Sequence, residues 1–170
     1  KSGNAMNETW DQTTGVLVVG SGGGGMMAAL MAVDSGADAV VIEKSDLYGG
    51  STSMSGGSIW IPNNHLMKKA GLLDSPEEAL AYLKAVTAGK VPEERLRAYV
   101  KAAPEMVEYL ERKSHVRFQI VPGYSDYYPG LAGGKPEGGR TIEAAPFDAR
   151  KLGGMRVELR PVPHQAMVFG

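Results

Sequence analysis

The chain has 170 residues, of which 43% are hydrophobic and 22% charged. That composition fits a soluble globular fold and excludes wholesale disorder, and the length fits one domain or part of a larger one. Eighteen Lys and Arg against nineteen Asp and Glu leave a net charge of -1, so no excess of either sign is available to hold nucleic acid or an acidic membrane surface, and the lack of Cys excludes disulfides, Cys-ligated metal sites and a thiol nucleophile.

Residues 1–14 are polar, lack the apolar centre of a secretory signal and read as a disordered or tag-like N-terminus. Val16 to Val19 is a short β-branched run, the pattern of a buried strand. Met26 to Ser35 reads as an apolar helix, with Met26, Met27 and Met31 as core filler and Gly36 just past its end. Ala39 to Ile42 reads as a second buried strand, which completes a β–α–β unit. Residues 45–65 are rich in Gly, Ser and Thr and predict little regular structure.

Ser75-Pro76-Glu77-Glu78 predicts a helix start, with Ser75 as N-cap and Glu78 closing a capping box. That helix should end near Ala88 and Gly89. A second helix should begin near Pro92, with apolar Leu96, Val100, Ala103 and Val107 at three- and four-residue steps and a kink or break at Pro104. Val116, Phe118 and Ile120 alternate with polar residues as in a half-exposed strand. Residues 122–154 read mostly as loop. Met155, Val157 and Leu159 alternate briefly before Pro161. No apolar window is long enough to span a membrane. His65, His115 and His164 are scattered and read as surface or structural residues.

Gly20-Ser21-Gly22-Gly23-Gly24-Gly25 fits G-x-G-x-x-G in its proper context, between a strand and a helix. Gly20 would make the tight turn, Gly22 would let backbone approach a pyrophosphate, and Gly25 would let helix and strand pack closely. The helix N-terminus offers N–H groups and partial positive charge to phosphates. Glu43 ends the second strand, where a carboxylate accepts hydrogen bonds from a ribose 2′-hydroxyl and disfavours a 2′-phosphate. Lys44 and Ser45 follow it. Gly49 and Gly50 then form a second glycine pair that could admit the pyrophosphate from its other side. Ser51, Thr52 and Ser55 would supply hydroxyl donors, and Gly56 and Gly57 would leave room for a flat ring. This second tract favours FAD over NAD.

At these residues the chain resembles the FAD-dependent dehydrogenase and fumarate reductase superfamily. Ser55-Gly56-Gly57-Ser58 with Ile59-Trp60-Ile61-Pro62 is similar to the 3-ketosteroid dehydrogenase branch, as are Gly123-Tyr124-Ser125-Asp126-Tyr127-Tyr128-Pro129, Gly139 to Glu143 and Pro146 to Gly153. The resemblance implies an α/β, partial Rossmann-like FAD-binding domain over residues 15–163. It implies β–α–β with parallel strands and added helices, incomplete without C-terminal segments or a second chain, with residues 164–170 leading toward a catalytic domain. It implies non-covalent FAD, because Ser51-Thr52-Ser53 stand where related succinate dehydrogenases carry a flavin-linking His. It implies removal of hydrogen from C1 and C2 of a 3-ketosteroid, with Tyr128 assisting a base outside this chain and Tyr127 packing. The same reading places the protein in the cytoplasm, free or associated with a membrane. Two alternatives stay open: a non-catalytic FAD-binding chain needing a partner, and a fumarate reductase-like flavoprotein.

Overall fold

A computed structural model describes residues 10–162. They form two units: one holds the described residues up to Ser55 and from Ala149 onward, and the other spans Gly56–Asp148.

In the first unit, β1 (Val16–Val19) and β2 (Ala39–Ile42) pair in parallel, Val16 opposite Ala39 and Val19 opposite Ile42. Helix α1 (Gly23–Asp34) connects them. It begins three residues earlier than the apolar pattern indicated, because the last glycines of the tract form its first turn. Its end follows the sequence closely. Gly36 is left-handed at φ 84°, and the N–H groups of Gly36 and Ala37 bond back to Val33 and Ala32. That pattern closes the helix with a Schellman motif.

The two strands are less covered than a parallel pair requires. Val18 is buried, but Leu17, Val19 and Ile42 are exposed, and α1 buries no residue. Met26 and Met31 are exposed, so within this chain they are not core. A short 3-10 turn covers Thr52–Met54, and 3-10 turns run through Ala149–Glu158. The alternation of Met155, Val157 and Leu159 therefore does not produce a strand. Gly153 kinks the backbone at φ 57°, and only Leu159 forms a bridge, parallel to Tyr48.

The second unit contains a three-stranded antiparallel sheet in the order β3 (Ile59–Trp60), β5 (Thr141–Ala144), β4 (Phe118–Ile120). Ile142 sits between Ile59 and Ile120 at the centre. Two of these strands lie where sequence patterning indicated loop, and β4 is shorter than the run from Val116. A strand of two to four residues is too brief to show alternation, so its partners define it.

Helix α2 (His65–Lys69) is capped by Asn64. That side chain is fully buried, accepts from Met67 N–H and donates to the carbonyls of Ile61 and Gly139. Helix α3 (Pro76–Thr87) starts as read, with the Ser75 hydroxyl accepting from Glu78 N–H. The return half of the capping box is absent. Ser75 N–H donates to Asp74, and the Glu78 carboxylate pairs with Lys135 at 3.0 Å instead. Helix α4 (Glu93–Lys113) runs through Pro104 without a break. Its buried face of Leu96, Val100, Ala103 and Val107 holds the helix across the missing N–H. Ile61, Ala103, Val107 and Ile142 form the core, flanked by Ile59, Leu66, Met106, Phe118 and Ile120.

Candidate FAD-binding site

The first unit brings most of the glycine-tract residues together. Gly20 turns at φ 98° and its N–H donates to Ile42 O at 2.7 Å, tying the turn to the end of β2. Gly22 is the N-cap of α1 and has no side chain to cap with. A Cβ on Gly25 would lie 1.9 Å from the Gly20 carbonyl oxygen, so only glycine allows α1 to rest on the turn. A Cβ on Gly50 would lie 3.0 Å from the Gly22 Cα. The second glycine pair thus lies backbone to backbone on the first. From it, the Thr52 hydroxyl reaches the helix end and accepts from Gly23 N–H at 2.9 Å. Ser51 and Gly24 are exposed and close nothing off.

Ser21 is the hub. It is 4% exposed, its hydroxyl donates to Glu43 Oε2 at 2.6 Å and accepts from Gly49 N–H at 2.9 Å, and its own N–H donates to the same carboxylate oxygen at 2.9 Å. Ser45 N–H donates to the other oxygen at 3.1 Å, and Lys44 is exposed. The Ser21 hydroxyl, then the backbone N–H groups of Ser21 and Ser45, bring the Glu43 carboxyl down to about 2. An ionised carboxylate here keeps lone pairs for further donors. The residues present therefore fit a dinucleotide: a helix start in a glycine-rich turn whose only side chain, Ser21, folds back onto Glu43, and a fixed acceptor at the strand end. Gly56 and Gly57 fall in the other unit, where Gly57 has φ 76°.

The second unit carries Tyr128 in a loop that lines a cavity of about 490 Å³ with Trp60, Tyr82, Tyr99 and Tyr124. Trp60 stacks against Tyr82 and Tyr99, with ring centroids 5.7 and 6.3 Å away. Tyr128 is 59% exposed and Tyr127 81%, so Tyr127 does not pack as expected. The Tyr124 hydroxyl donates to Tyr127 at 3.4 Å, a contact that raises its own pKa. Burial, more than any neighbour, raises Tyr82.

Sequence reasoning gave no role to Arg140, the fully buried centre of this unit. It makes a bidentate pair with Asp74 at 2.8 and 2.6 Å and donates to Asp126 at 2.9 Å and to Gly133 O at 2.8 Å. Its guanidinium lies over the rings of Trp60 and Tyr82 at 5.3 and 5.6 Å. Burial opposes the charges, but the pairing wins: Asp74 lies below the usual carboxylate range and Arg140 above its ordinary value. A single Arg after two glycines carries no sequence signal for such a role.

His65 is structural as read, with Nε2 at 2.8 Å from Glu111, and His115 is exposed, while His164 lies outside the described residues. Among the described residues no group of His, Asp or Glu could hold a metal ion, and no helix is long and apolar enough to cross a membrane.

A β–α–β unit with a glycine turn, a buried serine and an ionised strand-end glutamate defines a nucleotide-cofactor-binding protein. The FAD binding domain family model matches residues 15–169, and the chain belongs to that family. It is 51% identical, over 81% of its length, to a 3-oxosteroid 1-dehydrogenase of Mycolicibacterium smegmatis, of which the match covers 24%. It is 41% identical, over 77% of its length, to a 4-oxocyclohexanecarboxylate 2-dehydrogenase of Sinomonas cyclohexanicum, of which the match covers 23%. Among solved structures it is similar to a 3-ketosteroid delta1-dehydrogenase of Sterolibacterium denitrificans in complex with 1,4-androstadiene-3,17-dione. That match has a TM-score of 0.82 and 49% identity, and it covers 88% of this chain and 26% of the other. The chain spans about a quarter of the length of the relatives it matches.

Proposed function

We propose that this chain is the FAD-binding portion of an oxidoreductase that introduces a C1–C2 double bond into a 3-ketosteroid. What carries the reading is the extent of the similarity: 81% of the chain aligns at 51% identity with a steroid dehydrogenase, far beyond the generic glycine tract. In this reading β1–α1–β2 opens a Rossmann-like fold over residues 15–163, and a catalytic part is supplied by a C-terminal portion or a second chain.

Bound FAD would supply the acceptor for hydride from C1. The Gly20–Gly25 turn and the start of α1 would hold the pyrophosphate, and Gly22 would allow backbone approach. Glu43, ionised at working pH, would accept from the ribose. Gly49 and Gly50 would close over the phosphates, Ser51, Thr52 and Ser55 would donate hydroxyls, and Gly56 and Gly57 would leave space for a flat ring. No side chain at Ser51–Ser53 can form the histidyl flavin link, so the cofactor would be held non-covalently. A base in the catalytic part would take the C2 proton while the 3-keto oxygen is polarised. Tyr128 would stabilise that base through its phenol, which supports proton transfer when suitably placed.

A second reading keeps the chemistry and changes the substrate. The similarity to a 4-oxocyclohexanecarboxylate dehydrogenase supports a single-ring ketone acid. Steady-state turnover with each ketone and an artificial electron acceptor separates the two. The steroid should give the higher kcat/KM. A higher value for 4-oxocyclohexanecarboxylate would overturn the steroid assignment.

A further inference from the structure

We infer that Arg160 is a cofactor-binding residue whose guanidinium pairs with the FAD pyrophosphate and supplies the cation that the glycine turn lacks. The inference rests on the reading above, in which the Gly20–Gly25 turn holds those phosphates. Behind it stands an orphaned donor: Arg160 Nε is buried and has no hydrogen-bond partner among the described residues. A guanidinium stays charged at any working pH and can only donate, so a buried N–H on it without an acceptor is costly. Buried polar groups of folded proteins are paired as a rule, and an unpaired one calls for an acceptor from a ligand or from the rest of the protein.

The backbone carries Arg160 to the cofactor turn. Leu159 bridges Tyr48 in parallel, with Tyr48 N–H donating to Glu158 O and Arg160 N–H donating to Tyr48 O, both at 2.9 Å. The Tyr48 hydroxyl donates to Met155 O at 3.0 Å and ties down the start of the same segment. Pro161 favours an extended backbone at the residue before it. Directly after Tyr48 comes Gly49, whose N–H donates to the Ser21 hydroxyl, and then Gly50, which lies against Gly22. Arg160 is thus anchored beside the second glycine pair. The electrostatics agree with that placement. The first turn of α1 has no basic residue, and Glu43 is ionised with its oxygens already engaged by Ser21 and Ser45. The turn's own residues therefore offer a pyrophosphate N–H groups but no cation, while Glu43 adds to the negative charge. A guanidinium offsets both, and its planar fork matches two phosphate oxygens at once.

The test titrates FAD into the apoprotein of the chain completed by its catalytic part, comparing wild type with Arg160→Gln, Arg160→Lys and Arg156→Gln. Arg160→Gln should raise the Kd for FAD about thirtyfold and Arg160→Lys about fivefold, the sizes expected when a hydrogen-bonded charge, or only its fork, is lost. Arg156 is an exposed cation on the same segment, and Arg156→Gln should change the Kd less than about twofold. Added salt should weaken FAD more steeply in wild type than in Arg160→Gln, because an ion pair is screened. The melting temperature of the apoprotein should not fall, and the reduction potential of the bound flavin should stay where it was. A lower apoprotein melting temperature with an unchanged Kd would overturn the inference, since Arg160 would then pair with an acid elsewhere in the protein. A lowered flavin potential with an unchanged Kd would also overturn it, by putting the guanidinium against the flavin ring. Where Arg160→Gln does not fold, Arg160→Lys carries the test, and a Kd equal to that of wild type contradicts the assignment. Wild type that takes up no FAD would sink the FAD reading itself, and the inference with it.

Discussion

A methyl group at position 25 has no room, because its carbon would sit 1.9 Å from the Gly20 oxygen, while one at position 24 meets nothing within 4 Å. Gly25→Ala should therefore destabilise the fold by about 3 kcal/mol or part helix from strand. Gly24→Ala should stabilise it by about 0.5–1 kcal/mol, since Ala is the better helix former. Thermal unfolding of both variants checks the pair. Glu43 gives a second residue-scale expectation. Its carboxyl is held at about 2 against an ordinary 4.5, so its stabilising contribution is fully present above about 4.5 and fades as pH falls toward 2. Denaturant unfolding from neutral to acid pH should show that loss, and Glu43→Gln should weaken FAD roughly tenfold at neutral pH. The close approach of Gly25 to the Gly20 turn was legible in the sequence because it depends on a near neighbour and on what glycine alone allows. The role of Arg140 was not, because its carboxylate partners lie 66 and 14 residues away.

Among the elements, α4 was legible wherever burial decides. Leu96, Val100, Ala103 and Val107 announce their face by spacing, and all four are buried. Of the kink or break expected at Pro104, the break does not occur, because propensity is a local rule and packing of the whole face overrides it. Restoring the missing donor should help: Pro104→Ala should raise stability by about 1–2 kcal/mol after the loss of proline's restraint on the unfolded chain, measured by denaturant unfolding. Strands β3 and β5 were illegible because neither is a four-residue apolar run like β1 and β2, and both are too short to show alternation; pairing gives them their identity, here Ile59 and Ile120 on either side of Ile142. The capping box failed in half for a comparable reason. Asp74, anchored by Arg140, took the Ser75 N–H, and Lys135 took Glu78.

At the scale of the whole molecule, the parallel pair is the exposed part. Leu17, Val19 and Ile42 are 57%, 77% and 46% accessible, and α1 contributes nothing fully buried. Parallel strands are ordinarily covered on both faces. The chain also spans about a quarter of its steroid-dehydrogenase relatives, so the reading requires a catalytic part to supply the base. Glycine turn, strand-end acid and tyrosine loop belong, on this account, to one reductive half-reaction. The most direct test is anaerobic mixing of the flavin-loaded chain, completed by the catalytic part, with a 3-ketosteroid while the visible flavin band is followed. The account expects stoichiometric bleaching of that band with formation of the 1,2-unsaturated ketone. A bound flavin that stays fully coloured in the presence of excess 3-ketosteroid would contradict it.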